Sequence, residues 1–406
     1  MRARFVLVAV SALVVATPPA LSAQRSGGTI EQRATPVRAG EPCPPGTTEV
    51  RPRLCQAPEL PAPSILDYRP RSTLVVPAHP VPRAKYPAID FHGHPRDRLD
   101  SGAVLERLGV ALDSLNVRLM LVANNMSGPE LRRTVAAVRA SPRMRDRVRV
   151  LAGVDFRNVG PGWAEKAVAQ LEADVAAGAV GVGEVSKSLG LSLRKADGSR
   201  LRVDDRALDP VWEACARLRI PVFIHTADPQ EFWQPIDERN ERWLELTQFP
   251  NRRRPADRYP SFDALMAEQH ALFRRHPNTT FINAHLGWYG QDLAKPGALL
   301  DSLPNMYTEL GAVVYELGRQ PRMAREFLTK YQDSVLMVKD TYGQSEYHTY
   351  FRIFETADEY FPYYRKRHAH WNMYGLDLPD PVLRKLYYGN AIRIIPGIDR
   401  SLFPSE

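Results

Sequence analysis

Apolar and polar positions alternate along most of the chain in a way that predicts parallel βα units. Short runs rich in Val and Ile are followed by longer stretches with helical spacing of apolar residues. The runs are residues 88–91, 117–123, 148–154, 180–185, 221–224, 280–284, 306–310 and 335–338. The clearest helices between them are residues 103–115, 164–177, 210–218 and 323–330. This alternation predicts an α/β fold, a (β/α)8 TIM barrel, with an open doubly wound sheet as the alternative.

The N-terminus departs from this pattern. Arg2 and Arg4 precede an apolar run over residues 5–16, and small residues follow it up to Ala23. A basic start, a short apolar core and a small-residue end predict a secretory signal peptide over residues 1–23. A membrane span takes roughly 20 apolar residues, so an uncleaved anchor is the weaker alternative. We expect an exported protein, periplasmic or extracellular, with no membrane span after the signal is removed.

Proline is concentrated in residues 24–86, which predicts a proline-rich extension without regular structure ahead of a barrel domain at residues 87–406. Cys43 and Cys55 lie close together in this extension and could form a disulfide in an oxidising compartment. Cys215 lies in an apolar helical stretch and is expected to be buried. After the eighth run, residues 360–371 and 381–395 are predicted to form extra helices. The long stretch at residues 229–260 is predicted to be a lid or a binding element.

The composition is that of a soluble globular protein, with 44% hydrophobic and 25% charged residues among 406. The formal net charge of +8 permits an anionic substrate without requiring nucleic acid as a partner. We therefore expect a small-molecule substrate and no nucleic acid, and a homo-oligomer remains open.

The first strand run ends in a candidate metal-binding pair, His92-Gly93-His94. Alternate residues of a strand point to the same side, so His92 and His94 can grip one ion. In a parallel barrel, the carboxyl ends of the strands converge on one mouth, where active sites form. On its own, however, such a pair is also compatible with two ordinary strand-end histidines.

Other strand ends strengthen the metal interpretation. The fourth run closes on Glu184, the fifth on His225, the sixth on His285 and the eighth on Asp340. Buried imidazoles and carboxylates are costly unless they are paired or coordinated, so their coincidence at one rim predicts a divalent ion. Zinc is the expected ion, and manganese, iron or cobalt would also suit these donors. We refer to six ligand candidates: His92, His94, Glu184, His225, His285 and Asp340.

This pattern resembles the amidohydrolase superfamily. The opening Ile89-Asp90-Phe91-His92-Gly93-His94 is similar to its amidohydrolase-related branch, which includes hydrolases and non-oxidative decarboxylases. One departure is Val338-Lys339-Asp340, where the branch commonly has Gly-Thr-Asp or Gly-Ser-Asp. The sequence leaves open whether Lys339 acts on the ionisation of Asp340 or points away from it.

The resemblance implies two designs for the site. In the first design, one ion is bound by His92, His94, His225 and Asp340. His285 then contacts the substrate or the metal-bound water. In the second, Glu184 bridges two ions, and His225 and His285 hold the second ion. We favour two ions. The alternative role for Glu184 is a carboxylate that orients a ligand histidine.

The expected activity is metal-dependent hydrolysis of an amide, ester or lactone bond of a small molecule by metal-activated water. Asp340 is the candidate general base, and His285 is the candidate for stabilising the oxyanion. The enzymatic alternatives are non-oxidative decarboxylation of an unsaturated or aromatic acid and, less favoured, phosphodiester hydrolysis. A non-enzymatic binding scaffold would be expected to lack ligands, and none is lost here.

Recognition of the substrate is harder to predict. Arg96, Arg157 and Lys187 each follow a strand run and could bind a carboxylate or phosphate at the mouth. The run Arg252-Arg253-Arg254 is predicted to be a solvated surface charge. Of the remaining histidines, His348 follows the eighth run most closely, and it is the one to test.

Overall fold

The computed structural model describes residues 33–61, 63–95, 99–368 and 372–404. Its contacts divide the chain between Leu74 and Val75 into two compact units. The predicted signal peptide at residues 1–23 lies outside the described residues, so its cleavage remains a prediction. None of the helices in these ranges combines the length and the apolar character needed to cross a membrane.

The first unit contains a small antiparallel sheet, so the expectation of no regular structure there was wrong. Its strands are Thr35–Pro36, Leu54–Gln56 and Thr48–Arg51, in that spatial order. Pro36 is tolerated because it lies in an edge strand. The backbone N–H that proline lacks is not needed there for hydrogen bonding to a neighbouring strand. A disulfide joins Cys43 to Cys55, which is buried in the central strand. Such a crosslink favours order because it restricts the unfolded chain.

The second unit is built on eight parallel barrel strands. They are β1 (Ala88–His94), β2 (Val117–Met126), β3 (Val148–Ala152), β4 (Ala179–Val185), β5 (Val222–Ile224), β6 (Phe281–Asn283), β7 (Met306–Glu309) and β8, which has two segments (Val335–Leu336 and Asp340–Thr341). Each strand from β1 to β7 pairs with the next one in parallel. The first segment of β8 pairs with β7 and the second with β1, which closes the sheet. The predicted (β/α)8 barrel is confirmed.

Helices connect the strands and continue after β8. They are α1 (Gly102–Leu115), α2 (Gly128–Ala140), α3 (Trp163–Ala177), α4 (Ser188–Leu191), α5 (Asp209–Leu218), α6 (Trp243–Gln248), α7 (Phe262–Arg275), α8 (Ala294–Ser302), α9 (Val314–Arg319), α10 (Pro321–Lys330), α11 (Tyr347–Glu355), α12 (Asp380–Arg384) and α13 (Asn390–Ile394). Short 3₁₀ turns lie at Arg206–Leu208, Gln230–Trp233, Pro250–Arg252, Ala284–Trp288, Gln344–Glu346 and Arg400–Leu402, and a π turn lies at Lys385–Gly389. The four helices that the apolar spacing predicted are α1, α3, α5 and α10, each with the predicted C-terminus.

Apolar side chains are buried on both faces of the barrel strands. Inward side chains fill the barrel and outward ones meet the helices, which is why the strands read as continuous apolar runs. Phe91, Leu119 and Phe281 are examples, each with essentially no exposed surface. Cys215 is also completely buried, as predicted, and burial raises the pKa of its thiol to about 12.

The prediction of a helix over residues 360–371 was wrong. Phe361–Pro362 instead forms a short antiparallel pair with Asn372–Met373. Pro362 explains the difference, because the ring of a proline disfavours the helical conformation in the residue before it. The second C-terminal helical prediction is confirmed by α12, the π turn and α13.

Candidate metal centre

His92 and His94 lie at the carboxyl end of β1 with their side chains turned toward each other. Their Nε2 atoms are 2.5 Å apart, and the rings meet edge to face with centroids 4.4 Å apart. His92 is fully buried, whereas His94 is partly exposed. Gly93 permits this packing, because a Cβ there would lie 2.6 Å from the Met120 side chain of β2.

Glu184 joins this pair to the ligand candidates on the other side of the barrel. Its Oε2 lies 3.5 Å from His92 Nε2 and 3.3 Å from His94 Nε2. Its Oε1 forms a short hydrogen bond with His225 Nδ1. The carboxylate therefore reaches both halves of the site.

His285 is held at the end of β6 by an unusual backbone and by an acid from β7. His285, Leu286 and Gly287 have positive φ of 55°, 55° and 61°. This left-handed run is strained at the non-glycine positions, a feature that clusters at functional sites. Glu309 Oε1 accepts from the His285 backbone N–H at 2.5 Å, and His285 Nδ1 donates to the Gly311 carbonyl at 2.7 Å. The ring is thus fixed with Nε2 left for the site.

Asp340 begins the second segment of β8 and completes the cluster. It also has a positive φ, of 72°, and its Oδ1 lies 3.9 Å from His94 Nε2. Potential ligand atoms within 4.8 Å of one another form two groups, each of three residues. The first contains His92, His94 and Asp340, and the second contains Glu184, His225 and His285. The fold thus brings all six ligand candidates together.

The electrostatics favour ionised carboxylates beside imidazoles. Burial raises the pKa of Glu184, but His225 and His92 outweigh it and hold that pKa well below the ordinary value. Burial likewise raises the pKa of Asp340, and the charges of His92 and His285 bring it below the ordinary value. Burial lowers the pKa of His285, but Glu309 raises it to about 9.

His225 behaves differently. Burial lowers the pKa of His225 below its ordinary value despite the charge of Glu184, which favours the neutral ring. A neutral ring that donates Nδ1–H to Glu184 presents the lone pair of Nε2. That Nε2 atom is buried and has no hydrogen-bond partner among the described residues.

These features fit a divalent metal ion. His225 Nε2 has no hydrogen-bond partner among the described residues, and the Nε2 atoms of His92 and His94 converge beside Glu184 Oε2. Ligands held at about 2.0–2.2 Å from an ion lie some 3–4 Å apart, close to the contacts of Glu184 Oε2. Imidazole and carboxylate donors suit zinc, manganese, iron or cobalt.

Two supporting acids were not among the predicted site residues. Asp90, completely buried, accepts from the backbone N–H of Lys339 at 3.1 Å and from the hydroxyl of Tyr347 at 2.5 Å. It therefore ties β1 to β8 just before His92 and Asp340. Glu309 plays the corresponding part for His285. The signal for Glu309 was present in the sequence, since it ends β7 as the ligand candidates end their strands.

Lys339 points away from Asp340, which answers the question left open by the sequence. Its side chain is fully buried, with Nζ 2.5 Å from Glu346 Oε2 and 2.8 Å from the Thr341 carbonyl. The ammonium group also lies 5.5–6.0 Å from the ring centroids of three tyrosines, Tyr347, Tyr350 and Tyr364. Lys339 thus anchors the strand beside Asp340 from outside the site.

Two of the three cations predicted to bind the substrate instead form ion pairs with acidic side chains of the protein. Arg157 is exposed and pairs with Asp155 at 2.7 Å. Lys187 forms a short ion pair with the buried carboxylate of Asp228. Arg96 lies outside the described residues, so its role stays a prediction.

The prediction that residues 252–254 form a solvated surface run was wrong for Arg252 and Arg254. Arg254 is buried and its Nε lies 2.8 Å from Asp228, which fastens the long insert to the end of β5. Arg252 forms a short ion pair with the buried Glu245. Arginine suits such sites because its planar group can satisfy a carboxylate while burying its stem.

A second buried polar cluster, the Arg242 network, links the insert to α9 and to the C-terminal segment. Its members are Arg242, Glu245, Arg252, Tyr315, Glu316 and His368. Arg242 Nη1 donates to Glu245 at 2.9 Å and to His368 Nδ1 at 3.2 Å. Arg242 also forms a short hydrogen bond to the Tyr315 hydroxyl, which donates to Glu316 at 2.6 Å. The contacts hold the cluster together, although Arg242 Nε, Glu316 Oε2 and His368 Nε2 have no hydrogen-bond partner among the described residues.

Comparison with known proteins identifies a family relationship. The model of the amidohydrolase family matches residues 144–397, which include Glu184, His225, His285 and Asp340. His92 and His94 precede the matched stretch. None of the curated proteins matches the chain at a significant level.

Several solved structures are similar to this chain. An uncharacterised TIM-barrel protein from Bordetella bronchiseptica is 16% identical, with a TM-score of 0.47, over 76% of this chain and 97% of that one. 4-Oxalomesaconate hydratase from Rhodopseudomonas palustris is 16% identical, with a TM-score of 0.45, over 78% and 97%. A dihydroxybenzoic acid decarboxylase from a Polaromonas species, with bound manganese, is 15% identical, with a TM-score of 0.46, over 76% and 95%.

Proposed function

The chain belongs to the amidohydrolase family, and on that premise we propose that it is a metal-dependent hydrolase of an amide, ester or lactone bond in a small molecule. The observation that carries the proposal is the convergence of the six ligand candidates into two adjoining groups of three. Two ions are the preferred occupancy, with zinc as the first candidate. Neither nucleic acid nor a membrane is needed as a partner.

The residues of the site have distinct parts in this reaction. A divalent ion held by them would supply Lewis acidity, which lowers the pKa of water from about 16 toward 7. Asp340, ionised and at the edge of the ligand cluster, takes a proton on its carboxylate and returns it to the leaving group. His285, fixed through Nδ1, directs Nε2 at the position where negative charge develops on the substrate oxygen.

Metal-dependent decarboxylation of an unsaturated or aromatic acid is the second candidate. The observation in its favour is the contact between Glu184 and His225. If Glu184 orients His225, it would not serve as the bridge between two ions, which suits the design with one ion. In that case the substrate carboxylate would itself approach the ion, and phosphodiester hydrolysis stays a weaker third possibility.

Export is proposed on the basis of the N-terminal sequence, and the disulfide between Cys43 and Cys55 is compatible with an oxidising compartment. An exported hydrolase would act on scavenged or foreign small molecules. Association into a homo-oligomer is left to measurement.

The double variant His92→Ala with His94→Ala tests the proposal. We expect hydrolysis of chromogenic esters and lactones to fall by about 10²–10³-fold or more, because both the ion and the proton transfer beside it are lost. His348→Ala is the matched control, since His348 belongs to neither ligand group. Undiminished turnover in a folded double variant would refute the proposed site.

A further inference from the structure

Trp288 is the aromatic neighbour of the second ligand group, which contains Glu184, His225 and His285. The centroid of its indole lies 4.6 Å from that of the His285 ring and 5.6 Å from that of the His225 ring. The His225 and His285 rings are themselves 4.6 Å apart and meet edge to face. At such distances aromatic rings attract one another, so each imidazole of this group packs against the indole and against the other imidazole.

The backbone that brings Trp288 to this position is strained. Four consecutive residues, from His285 to Trp288, have a positive φ, and that of Trp288 is 57°. Three of the four are not glycine, and the left-handed conformation is unfavourable for residues that carry a Cβ. Residues three apart in a helical turn lie on the same side, so this run puts the indole beside the ring of His285. Such strain clusters at functional sites, which indicates that the pairing of these two rings serves the site.

Packing, rather than a hydrogen bond, holds the indole in place. Trp288 is 8% exposed, and its Nε1 is buried with no hydrogen-bond partner among the described residues. Trp233, by contrast, donates its indole N–H to the Pro260 carbonyl at 2.8 Å. Trp288 therefore acts on its neighbours through the shape and the apolar character of its ring. A ring of this kind beside metal ligands restricts their rotation and keeps water away from them.

The contacts of Trp288 fall on one ligand group only. No ring contact joins Trp288 to His92 or His94, whose group also contains Asp340, in the described part of the chain. His92 packs instead against Phe223, with ring centroids 4.1 Å apart. Each group thus has an aromatic neighbour of its own, and the two groups can be disturbed separately.

We propose that Trp288 is a positioning residue, which holds the imidazoles of His225 and His285 where they can bind the second ion. This inference deepens the proposed hydrolase function and rests on its preferred occupancy of two ions. A smaller, non-aromatic side chain at this position lets both rings turn and admits water beside them. The ion of the group with His225 and His285 should then bind more weakly, while the ion of the group with His92 and His94 is retained.

Calorimetric titration of metal-free protein with zinc tests this role without any turnover. Wild type should bind two ions, and His285→Ala identifies which of the two belongs to the second group. Trp288→Leu should weaken the same ion about tenfold to hundredfold, the usual effect of losing the support around a metal ligand, and leave the other ion unchanged. Trp288→Phe should recover most of the affinity, because it keeps an aromatic ring and removes only the indole N–H that has no partner among the described residues.

Trp212→Phe is the matched control. Trp212 is also a buried tryptophan whose Nε1 has no partner among the described residues, but its ring packs against Phe156 and Phe281 rather than against ligand histidines. This variant should be less stable than wild type in urea, because it leaves a cavity in the core, and should bind both ions as tightly as wild type. A weakening of the second ion equal to that in Trp288→Leu would mean that any loosening of the core suffices, and it would contradict the role. Circular dichroism should show the wild-type spectrum for every variant.

Three further results would overturn the inference: a wild type with no bound ion that His285→Ala affects, unchanged zinc affinity in Trp288→Leu, or an equal weakening of both ions in that variant. A loss in Trp288→Phe as large as that in Trp288→Leu would also overturn it, because the N–H rather than the packing would then matter. Hydrolysis is judged separately with p-nitrophenyl butyrate. If this ester is not cleaved but the second ion depends on Trp288, hydrolysis fails and the positioning role stands. If wild type cleaves it and zinc binding does not depend on Trp288, the positioning role fails and hydrolysis stands.

Discussion

The candidate metal centre and the Arg242 network are both buried clusters of ionisable side chains, but only the Arg242 network contains an arginine beside its carboxylates. In the Arg242 network the guanidinium of Arg242 contacts Glu245 and Tyr315, although Arg242 Nε, Glu316 Oε2 and His368 Nε2 lack partners among the described residues. In the metal centre, His225 Nε2 has no partner, and the Nε2 atoms of His92 and His94 face each other. Imidazole nitrogens that converge beside carboxylates suit a divalent ion, whereas carboxylates that already contact a guanidinium suit a structural role.

The largest effect that would separate the two clusters is expected from Arg242→Met. It leaves the buried Glu245 with Arg252 as its remaining arginine and removes the guanidinium from Tyr315, which should cost about 3–5 kcal/mol of unfolding free energy. The loss should be the same with metal and with EDTA, because this network does not bind the ion. Urea unfolding in both conditions gives the comparison.

The double variant His92→Ala with His94→Ala serves as the counterpart in that experiment. Its unfolding curve should respond less than that of wild type to added zinc, because the variant keeps only the group of Glu184, His225 and His285 intact, and an ion that binds only the folded state stabilises it. An undiminished zinc response in the double variant, or a diminished one in Arg242→Met, would contradict the assignment of the two clusters.

The next effect concerns Lys339 and Glu346, an ion pair beside Asp340. The side chain of Lys339 is 0% exposed, whereas that of Glu346 is 31% exposed. Glu346→Ala should therefore cost about 2–4 kcal/mol, because it leaves a buried ammonium without its carboxylate. Lys339→Met should cost only about 1 kcal/mol, because Glu346 can turn to water.

Chemical unfolding of the two single variants at neutral pH measures this asymmetry. Equal losses, or a larger loss for Lys339→Met, would mean that the packing of the lysine stem among the tyrosines matters more than the charge.

A smaller, pH-dependent effect is expected from Glu316 in the Arg242 network. Burial raises its pKa to about 7 from an ordinary value of 4.5, although Arg242 opposes the shift. Because folding raises the pKa of this carboxyl, its protonation stabilises the folded state. That stabilisation is fully present below pH 4.5 and is lost as the pH rises through about 7. Relative to Glu316→Gln, wild type should lose on the order of 1–3 kcal/mol between these limits. Parallel pH profiles for the two proteins would show that Glu316 titrates normally.

The smallest effect is expected at the exposed rim. Arg157 and Asp155 pair with side chains that are 76% and 59% exposed. Arg157→Gln should change unfolding free energy by less than about 0.5 kcal/mol, as is usual for solvated pairs. Steady-state kinetics should also be close to wild type. A large rise in KM would return Arg157 to the list of substrate contacts.

The sequence predicted the centre of the site better than its surroundings. Each ligand candidate directly follows an apolar run, and the geometry of a parallel barrel carries the ends of all such runs to one place. The periodicity of the apolar runs was therefore enough to predict that His225, His285 and the other ligand candidates lie close together. It also gave α1 and α5 to within one residue at the N-terminus.

The surroundings depend on contacts that periodicity cannot report. Arg242 meets His368, 126 positions away, and Asp90 meets Tyr347, 257 positions away. Arg254 looked like part of a solvated run because its partner, Asp228, is brought near only by the folded insert. Similarly, the non-helical path after α11 depends on Pro362 and on pairing with residues that follow it, so helical-looking composition was misleading there.

The most direct test of the account is the metal content of purified, active protein, measured by elemental analysis together with a chelation and reconstitution series. We predict two divalent ions per chain in wild type, loss of ester hydrolysis on chelation in step with loss of the ions, and recovery on adding zinc. One ion at full activity would favour the single-ion design and decarboxylation. Full activity in a folded, metal-free protein would contradict the account.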